Sequence, residues 1–426
     1  MKALTKISIG FLALVAVALW FTSCSSEDVA QNGGSQSDKE SLLTLTINTG
    51  KIMGSRTTDW TSDPAGTDAS QNESKISEIT IGIFDGTTKN VKAIIEPKKG
   101  TGTTPKDNEF TYNTENKKIT AKVIAKALSA NDDVLVAVNH AGKFGSVSDE
   151  KSFNAVTESL SEALGTGTSQ DNTHIPMYGT GKLVAGSSSA NSFTASDIPV
   201  KRLLAKITLD KLSVDFKGIY ASAEFKPTCC FLINVPENLK FADGKDSWDM
   251  SAALNSGWAS YNSSTGSFTY TAGNNDIVGT FKEFLTTKDL TGAATALKGA
   301  ESSGTEVYSS KVYFYTMPNG NDKTTNKNKN TKLVIAGKFK ANSTAQEQMV
   351  YYPVPLNVNI AADGAETPGR PGEDIYKVYP NKNYKCAVTI KTIGVANPNL
   401  NLDKQDATIN IKVEDWTSVS QTTIFD

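Results

Sequence analysis

The chain has 426 residues, which leaves room for two or three domains. Its 43 lysines and arginines nearly balance its 45 aspartates and glutamates, so the formal net charge is only -2. A nucleic-acid-binding protein, or one held at a membrane by a polybasic patch, needs an excess of basic residues. The composition therefore argues against both classes.

The first 23 residues have the layout of a secretory signal peptide. Lys2 and Lys6 make a basic start, residues 7–21 are apolar, and the segment ends in small residues. Cys24 stands where a small residue would otherwise mark the cleavage site. This predicts a lipoprotein that begins at Cys24 after the signal peptide is removed and that carries acyl chains such as palmitate on this residue. The alternative is a retained signal anchor, but the apolar run is short of the roughly 20 residues that span a bilayer.

A polar tether, residues 24–41, leads into the first strand that the sequence predicts. Leu43, Leu45 and Ile47 alternate with polar residues, so they share one apolar face of this strand. Such a strand can cover part of a hydrophobic core. It is the first of two segments on which the functional hypothesis depends.

Arg56 lies a few residues downstream, in a Gly/Ser/Thr stretch that a protease could reach. Arginine is rare in this chain, with three residues against forty lysines (43 - 3). The placement favours a removable N-terminal strand, residues 42–56. The alternative is an ordinary first strand followed by a loop.

Short runs rich in β-branched and aromatic residues dominate the rest of the chain, separated by turn-forming clusters. This pattern predicts β-sandwich domains rather than βαβ units. Residues 153–164 place apolar side chains on one face and predict a helix, with Ser152 as its N-cap. A serine-rich patch at 186–196 suggests a domain boundary. We therefore predict an all-β chain with few short helices, an N-terminal domain at 57–197, a C-terminal domain at 198–406 and a separate C-terminal segment at 407–426.

The C-terminal segment contains the second alternating strand. Ile409, Ile411 and Val413 share one face, and Trp416 falls out of that register, which implies a bulge or a separate pocket. If the N-terminal strand were removed, an incoming strand of this kind could fill the groove left behind. The alternative is that it is simply the last strand of the C-terminal sandwich.

The sequence offers little for an enzyme. His140 and His174 have no neighbouring cysteine, and no cluster has metal-ligand spacing, so we predict neither catalysis nor a metal or cofactor. Besides Cys24 there are Cys229, Cys230 and Cys386. They are expected to be buried small residues, with one disulfide to Cys386 as the alternative.

Several segments, taken in order, resemble the Bacteroidetes fimbrillins, the subunits of protease-assembled (type V) pili. The similarity covers nearly the whole chain. The segments are ITIGIF at 79–84, VAVN at 136–139, IPMYG at 175–179, VKRLLAKI at 200–207, YFYTMPN at 313–319, YPVPLN at 352–357 and YPNKNY at 379–384.

The resemblance implies two transthyretin-like Greek-key sandwiches and a lipoprotein precursor carried to the outer membrane surface. An arginine-specific protease would cut after Arg56, leaving Thr57 as the new N-terminus and releasing the lipidated strand. Subunits would then join copies of themselves and other fimbrial subunits into a cell-surface fimbrium that serves adhesion and biofilm formation. The donor strand would come from residues 407–426, with Ile409, Ile411 and Val413 as its apolar residues.

Two alternatives stay open at this point. Anchor and tip subunits share these domains. A monomeric surface lipoprotein that binds glycans would need no removable strand, and it would favour exposed tryptophans among Trp60, Trp248 and Trp258, because sugar faces stack on aromatic rings.

Overall fold

The computed structural model describes residues 40–49, 73, 75–140, 142, 144–187, 191–258, 260–262, 267–269, 279–287, 290, 296–299, 312–321, 329–402 and 407–416. The predicted sites at Cys24, Arg56 and Thr57 lie outside the described residues. So does Trp60. Within these ranges the regular secondary structure is mostly β-strand, with only two short α-helices, which confirms the predicted fold class.

The N-terminal domain is built on one continuous path of paired strands. Their order is β3-β2-β7-β9-β11-β1-β6-β5-β4, with β10 beside β11. The elements are β1 (Glu40–Asn48), β2 (Ile79–Phe84), β3 (Val91–Ile95), β4 (Lys98–Lys99), β5 (Glu109–Asn113), β6 (Lys118–Lys126), β7 (Asp133–Val138), α1 (Glu150–Asn154), β8 (Thr157–Ser159), α2 (Leu160–Leu164), β9 (Met177–Lys182), β10 (Val184–Ala185) and β11 (Ser192–Arg202).

Strand β11 converts this path into a two-layer sandwich. Its first part pairs with β1, and its last residues, 200–202, pair with β9. Asp197 lies within the first part and has a φ of 55°, a left-handed conformation, at the point where the register with β1 shifts between Ala195 and Ile198. The apolar faces of both layers then meet in one core.

The C-terminal domain contains two larger sheets. One has the order β22-β12-β27-β28-β25-β26, and the other has β20-β13-β23-β24, with β21 beside β13. The strands are β12 (Ala205–Val214), β13 (Glu224–Ile233), β14 (Val235–Pro236), β15 (Asn238–Lys240), β16 (Leu254–Ser256), β17 (Ser260–Asn262), β18 (Ser267–Thr269), β19 (Thr280–Phe281), β20 (Thr286–Thr287), β21 (Leu297–Lys298), β22 (Val312–Thr316), β23 (Lys332–Lys340), β24 (Gln348–Pro355), β25 (Val358–Ile360), β26 (Glu366–Pro368), β27 (Lys382–Ile390) and β28 (Ala407–Asp415).

The two halves of the chain are tied together. Strand β8 pairs with β15 across the domain junction. A large hydrophobic cluster also runs from Phe84 and Phe153 in the N-terminal half to Phe241 and Leu239 in the C-terminal half. The boundary expected between residues 197 and 198 falls inside β11, which continues to Arg202 in the N-terminal sandwich.

The helix predicted over residues 153–164 is wrong in one respect. The segment forms two short helices, α1 and α2, with β8 between them. Asp149 and Ser159 are the N-caps, and Ser152 completes the capping box of Asp149. The pairing of β8 with β15 holds residues 157–159 extended, and a local helical period cannot reveal a partner so distant in sequence.

The three described cysteines, Cys229, Cys230 and Cys386, are buried and form no disulfide, which is the first of the two expectations given above. Burial raises the pKa of the Cys229 thiol to about 12, so this group stays protonated at neutral pH. No helix in the described ranges is long and apolar enough to cross a membrane.

Candidate strand-exchange site

Strand β1 lies inside the N-terminal sandwich and not at its edge. The side chains of Leu43, Leu45 and Ile47 are 0% exposed and belong to the domain core. The residues between them face outward, and Thr44 is exposed. The alternation read from the sequence therefore corresponds to one core-facing side and one outward side.

Both long sides of β1 are paired. It runs antiparallel to β6 along its whole length and parallel to β11, with an irregularity between Leu45 and Ile47. At its end, the backbone nitrogen and the hydroxyl of Thr49 both donate to the carbonyl of Lys117, at 2.9 and 2.8 Å. Removing β1 would leave two facing edges of unpaired backbone groups and an open core.

The apolar contribution of β1 is substantial. Fully burying one Leu or Ile side chain contributes about 1.5–3 kcal/mol, so the three core residues together contribute about 5–9 kcal/mol. An extended reference chain makes this an upper estimate. A domain that loses the strand would therefore bind a replacement of similar shape strongly, because the remaining walls of the site are already in place.

Lysines line the β6 side of this site. Lys122 lies opposite Thr44, and Lys118 lies opposite Asn48. Lys118 Nζ is 3.1 Å from Asp197 Oδ1, and Lys122 Nζ is 2.6 Å from Asp107 Oδ1. These are surface pairs, so each contributes little to stability, but they set the charge that an incoming strand would meet.

The second candidate strand, β28, lies inside the C-terminal domain of the same chain. It pairs with β27 from Ala407 to Asp415 and meets β25 on its other side. Ile409 and Ile411 are buried in the core, and Val413 is half-buried. To serve a neighbouring subunit, this strand would have to leave its own sheet.

Trp416 follows β28 and lies in a separate pocket. This is one of the two outcomes, a bulge or a separate pocket, that its sequence register implies. Its indole Nε1 donates to Glu73 Oε2 at 2.9 Å, and its carbonyl accepts from Arg202 Nη1 at 2.9 Å. The ring stacks on Tyr315, with centroids 5.3 Å apart, and the Arg202 guanidinium carbon lies 4.8 Å from the centroid of the Trp416 ring. The Trp416 anchor thus joins both halves of the chain.

Glu73 is the residue of this region that the sequence analysis missed. Its Oε1 accepts from Lys206 Nζ at 2.9 Å and from the Tyr315 hydroxyl at 2.6 Å. The side chains of Lys206 and Glu73 are only 2% and 3% exposed, so this is a buried ion pair. The sequence signal for this ion pair is Lys206 itself, at the start of the strand run KITLDKL. Its side chain faces inward, and a buried ammonium group needs an acidic partner.

Asp415 adds a charged contact beside this anchor. Its carboxylate lies 2.6 Å from Arg370 Nη1 and 2.5 Å from Lys382 Nζ. Partial burial acts to raise the pKa of Asp415, but the hydrogen bonds from Arg370 and Lys382 outweigh it and hold that pKa below its usual value. The C-terminal end of β28 is therefore fixed by polar contacts on both of its sides.

The histidines do not form a catalytic arrangement with the groups around them. His140 is buried and contacts Thr80 Oγ1, its Nδ1 accepts from the Gly142 backbone at 2.8 Å, and burial lowers its pKa. His174 lies at the surface, 3.7 Å from Asp171. No group of metal-binding side chains occurs in the described part of the chain.

The two described tryptophans considered above for glycan binding both pack against other side chains. Trp258 is buried against Tyr351. Trp248 is half-buried, donates its Nε1 to the Val378 carbonyl at 3.1 Å and packs against Tyr379, with Lys377 over the ring. These two residues act as packing groups.

No known family profile matches the chain, and no curated protein matches its sequence. Solved structures do match its fold. A protein with a proposed role in cell adhesion from Bacteroides eggerthii is 15% identical, with a TM-score of 0.57 over 90% of this chain and 98% of its own. A second protein with a proposed role in cell adhesion, from Parabacteroides distasonis, is 14% identical. Its TM-score is 0.56, and the match covers 89% of this chain and 100% of its own.

The fimbrilin FimA of Porphyromonas gingivalis W83 is also similar. It is 18% identical, with a TM-score of 0.53 over 89% of this chain and 99% of its own. These identities are low, so the likeness concerns the fold, and it covers both domains. The chain therefore has the fold of the Bacteroidetes fimbrillins, as the resemblance predicted.

Proposed function

We propose that this chain is a structural subunit of a cell-surface fimbrium, exported as a lipoprotein acylated at Cys24. An arginine-specific protease cuts the precursor between Arg56 and Thr57. The lipidated strand then leaves, and subunits polymerise by strand exchange. The fimbrium serves adhesion and biofilm formation.

The observation that carries the proposal is the position of β1. Strand β1 is paired on both sides and its apolar face is buried, so its removal would leave a groove that another strand can fill. Because the vacated site and the incoming strand belong to different copies, the joint is head-to-tail and extends into a filament instead of closing a dimer.

The incoming strand in this proposal is the C-terminal segment, residues 407–426. Ile409, Ile411 and Val413 have the spacing of Leu43, Leu45 and Ile47, which supports the assignment. The internal position of β28 means that polymerisation exchanges one set of contacts for another. The Trp416 anchor is among the contacts that must open.

The test is proteolytic and uses the full-length chain. Wild-type precursor treated with an arginine-specific protease should form a ladder of oligomers on an unheated gel. Arg56→Ala should stay monomeric. Arg56→Lys is the matched control, since it keeps the positive charge and should also resist this protease. Ladders formed by uncut Arg56→Ala would refute the proposal, because they would show assembly without removal of β1.

A further inference from the structure

The site that β1 occupies imposes a definite size pattern on any strand that replaces it. We name this site, between β6 and β11, the β1 slot. Its inward positions are held by Ser41, which is 6% exposed, and by Leu43, Leu45 and Ile47, which are 0% exposed. From its N-terminal end the slot thus takes one small side chain followed by three large aliphatic ones.

Strand β28 presents the same series in the same order. Ala407 is small, and Ile409, Ile411 and Val413 are aliphatic, at the same two-residue spacing. Successive side chains of a strand alternate between faces, so all four residues lie on one side. The series is not symmetric, because its small residue stands only at the N-terminal end.

We propose that β28 of a second copy enters the β1 slot in the chain direction of β1, parallel to β11, with Ala407 at the position of Ser41 and Ile409 at the position of Leu43. Ile411 then replaces Leu45, and Val413 replaces Ile47. This inference rests on the proposed function and adds the direction and register of the joint.

The charges along β6 agree with this register. Thr44 lies opposite Lys122, and Asn48 lies opposite Lys118. The proposed alignment brings Asn410 opposite Lys122 and Glu414 opposite Lys118. An acidic residue opposite a lysine is a favourable cross-strand pair, and Lys118 already attracts Asp197 in this structure.

The reverse direction fits less well, because it either puts small Ala407 at the position of Ile47, the wrong end of the slot, or buries a charge. With Ile411 kept at the position of Leu45, an inverted strand places Asp415 at the buried position of Ser41. It also places Lys412 opposite Lys122, and like charges directly opposite one another are destabilising. Burying an unpaired carboxylate is costly as well.

Shifts of the register fail for steric and polar reasons. A slip of one residue turns the polar face of the strand toward the core. A slip of two in one direction puts Ala407 at the position of Leu43 and leaves a cavity. A slip of two in the other direction puts Asp415 at the position of Ile47, which is fully buried.

A cysteine scan reads the register directly. Lys122→Cys is combined in turn with Thr408→Cys, Asn410→Cys and Lys412→Cys, three positions two residues apart along β28. Each protein is cut by the protease, allowed to polymerise and oxidised, and intersubunit disulfides are identified by mass spectrometry. Residues directly opposite on antiparallel strands have the Cβ separation that a disulfide needs. The native cysteines Cys229 and Cys230 are buried, and Cys386 is replaced by alanine, because it lies opposite Ile411 in β27 and the departure of β28 would uncover it.

The proposed register predicts about tenfold more cross-linking for Asn410→Cys than for either neighbour, because only the directly opposed pair lies within bonding distance. The same pair carried on Arg56→Ala is the control, since β1 still fills the slot there and no cross-link should form. Dominant cross-linking at Lys412→Cys or Thr408→Cys would overturn the register while leaving polymerisation, and hence the proposed function, intact. Failure of every cut protein to polymerise would overturn both.

Discussion

Three donors converge on one buried carboxylate at the Trp416 anchor. Glu73 accepts from Lys206, from Tyr315 and from the indole of Trp416, and all three contacts bridge parts of the chain far apart in sequence. A hydrogen bond to a charged group contributes about 1.5–3 kcal/mol. The anchor therefore resists the release of β28 that the proposed polymerisation requires.

We expect Trp416→Phe to loosen β28. Phenylalanine keeps an aromatic ring beside Tyr315 but cannot donate to Glu73, so the free energy of unfolding should fall by about 2 kcal/mol beyond the loss of packing. Hydrogen exchange should speed up in residues 407–416 and not in 40–48. Trp258→Phe is the control, because it loses the same atoms from a buried indole whose Nε1 has no hydrogen-bond partner. Equal effects of the two changes would contradict the anchor.

Acid should weaken the same end of β28. The folded state holds the pKa of Asp415 below the value of about 3.9 that an aspartate has in an unfolded chain. Its stabilising contribution is therefore present above that value and is lost as pH falls through the lower, folded-state pKa. We predict that the free energy of unfolding in urea is higher for wild type than for Asp415→Asn at neutral pH. This difference between the two proteins should narrow below about pH 4. A gap independent of pH would contradict this assignment.

The two alternating strands show what local sequence can and cannot determine. Alternation identified which side chains of β1 and β28 face a core, because a strand has a period of two regardless of its partners. It could not reveal that β1 pairs with β11 in parallel, or that β28 lies between β27 and β25, since such pairings depend on residues far apart in the chain. The buried pair of Glu73 and Lys206 was missed for the same reason.

The internal position of β28 also determines how its proposed role can be tested. Ile411→Asp would destabilise the subunit itself by several kcal/mol, because Ile411 is buried in its own core. A loss of polymer in that mutant would then say nothing about donation. The strand has to be supplied separately from the subunit.

A synthetic peptide of residues 407–416 meets this requirement. Added to freshly cut protein, it should occupy the β1 slot, block the growth of polymers and raise the melting temperature. The matched peptide with Ile411→Asp should do neither, because its carboxylate would lie in the apolar slot. Equal inhibition by the two peptides would argue against β28 as the incoming strand.

At the scale of the whole molecule, the order of features separates what stays with the subunit from what leaves it. Cys24 and β1 precede Arg56, and every other described strand follows it. In the proposed function, the lipid on Cys24 and the strand that completes the N-terminal core therefore belong to the same N-terminal piece. One cut would remove both.

We predict that polymeric protein sheared from cells begins at Thr57 and carries no lipid. The precursor should carry acyl chains, and Cys24→Ser should abolish them without changing the fold, because Cys24 lies far upstream of the first described strand. N-terminal sequencing and mass spectrometry of both forms provide the measurement. Acylated Cys24 on the polymer would instead identify an anchor subunit or an uncut lipoprotein.

The pairing of β1 on both long sides has a mechanical consequence for the proposed filament. A replacement strand would inherit two ladders of hydrogen bonds that lie across its axis. Tension between neighbouring subunits would enter that strand at residue 407 and run along its length, so it would load both ladders in shear. Bonds loaded in this way must yield together instead of one after another. Each joint would therefore withstand pulling far better than it withstands peeling, which suits a fibre exposed to flow.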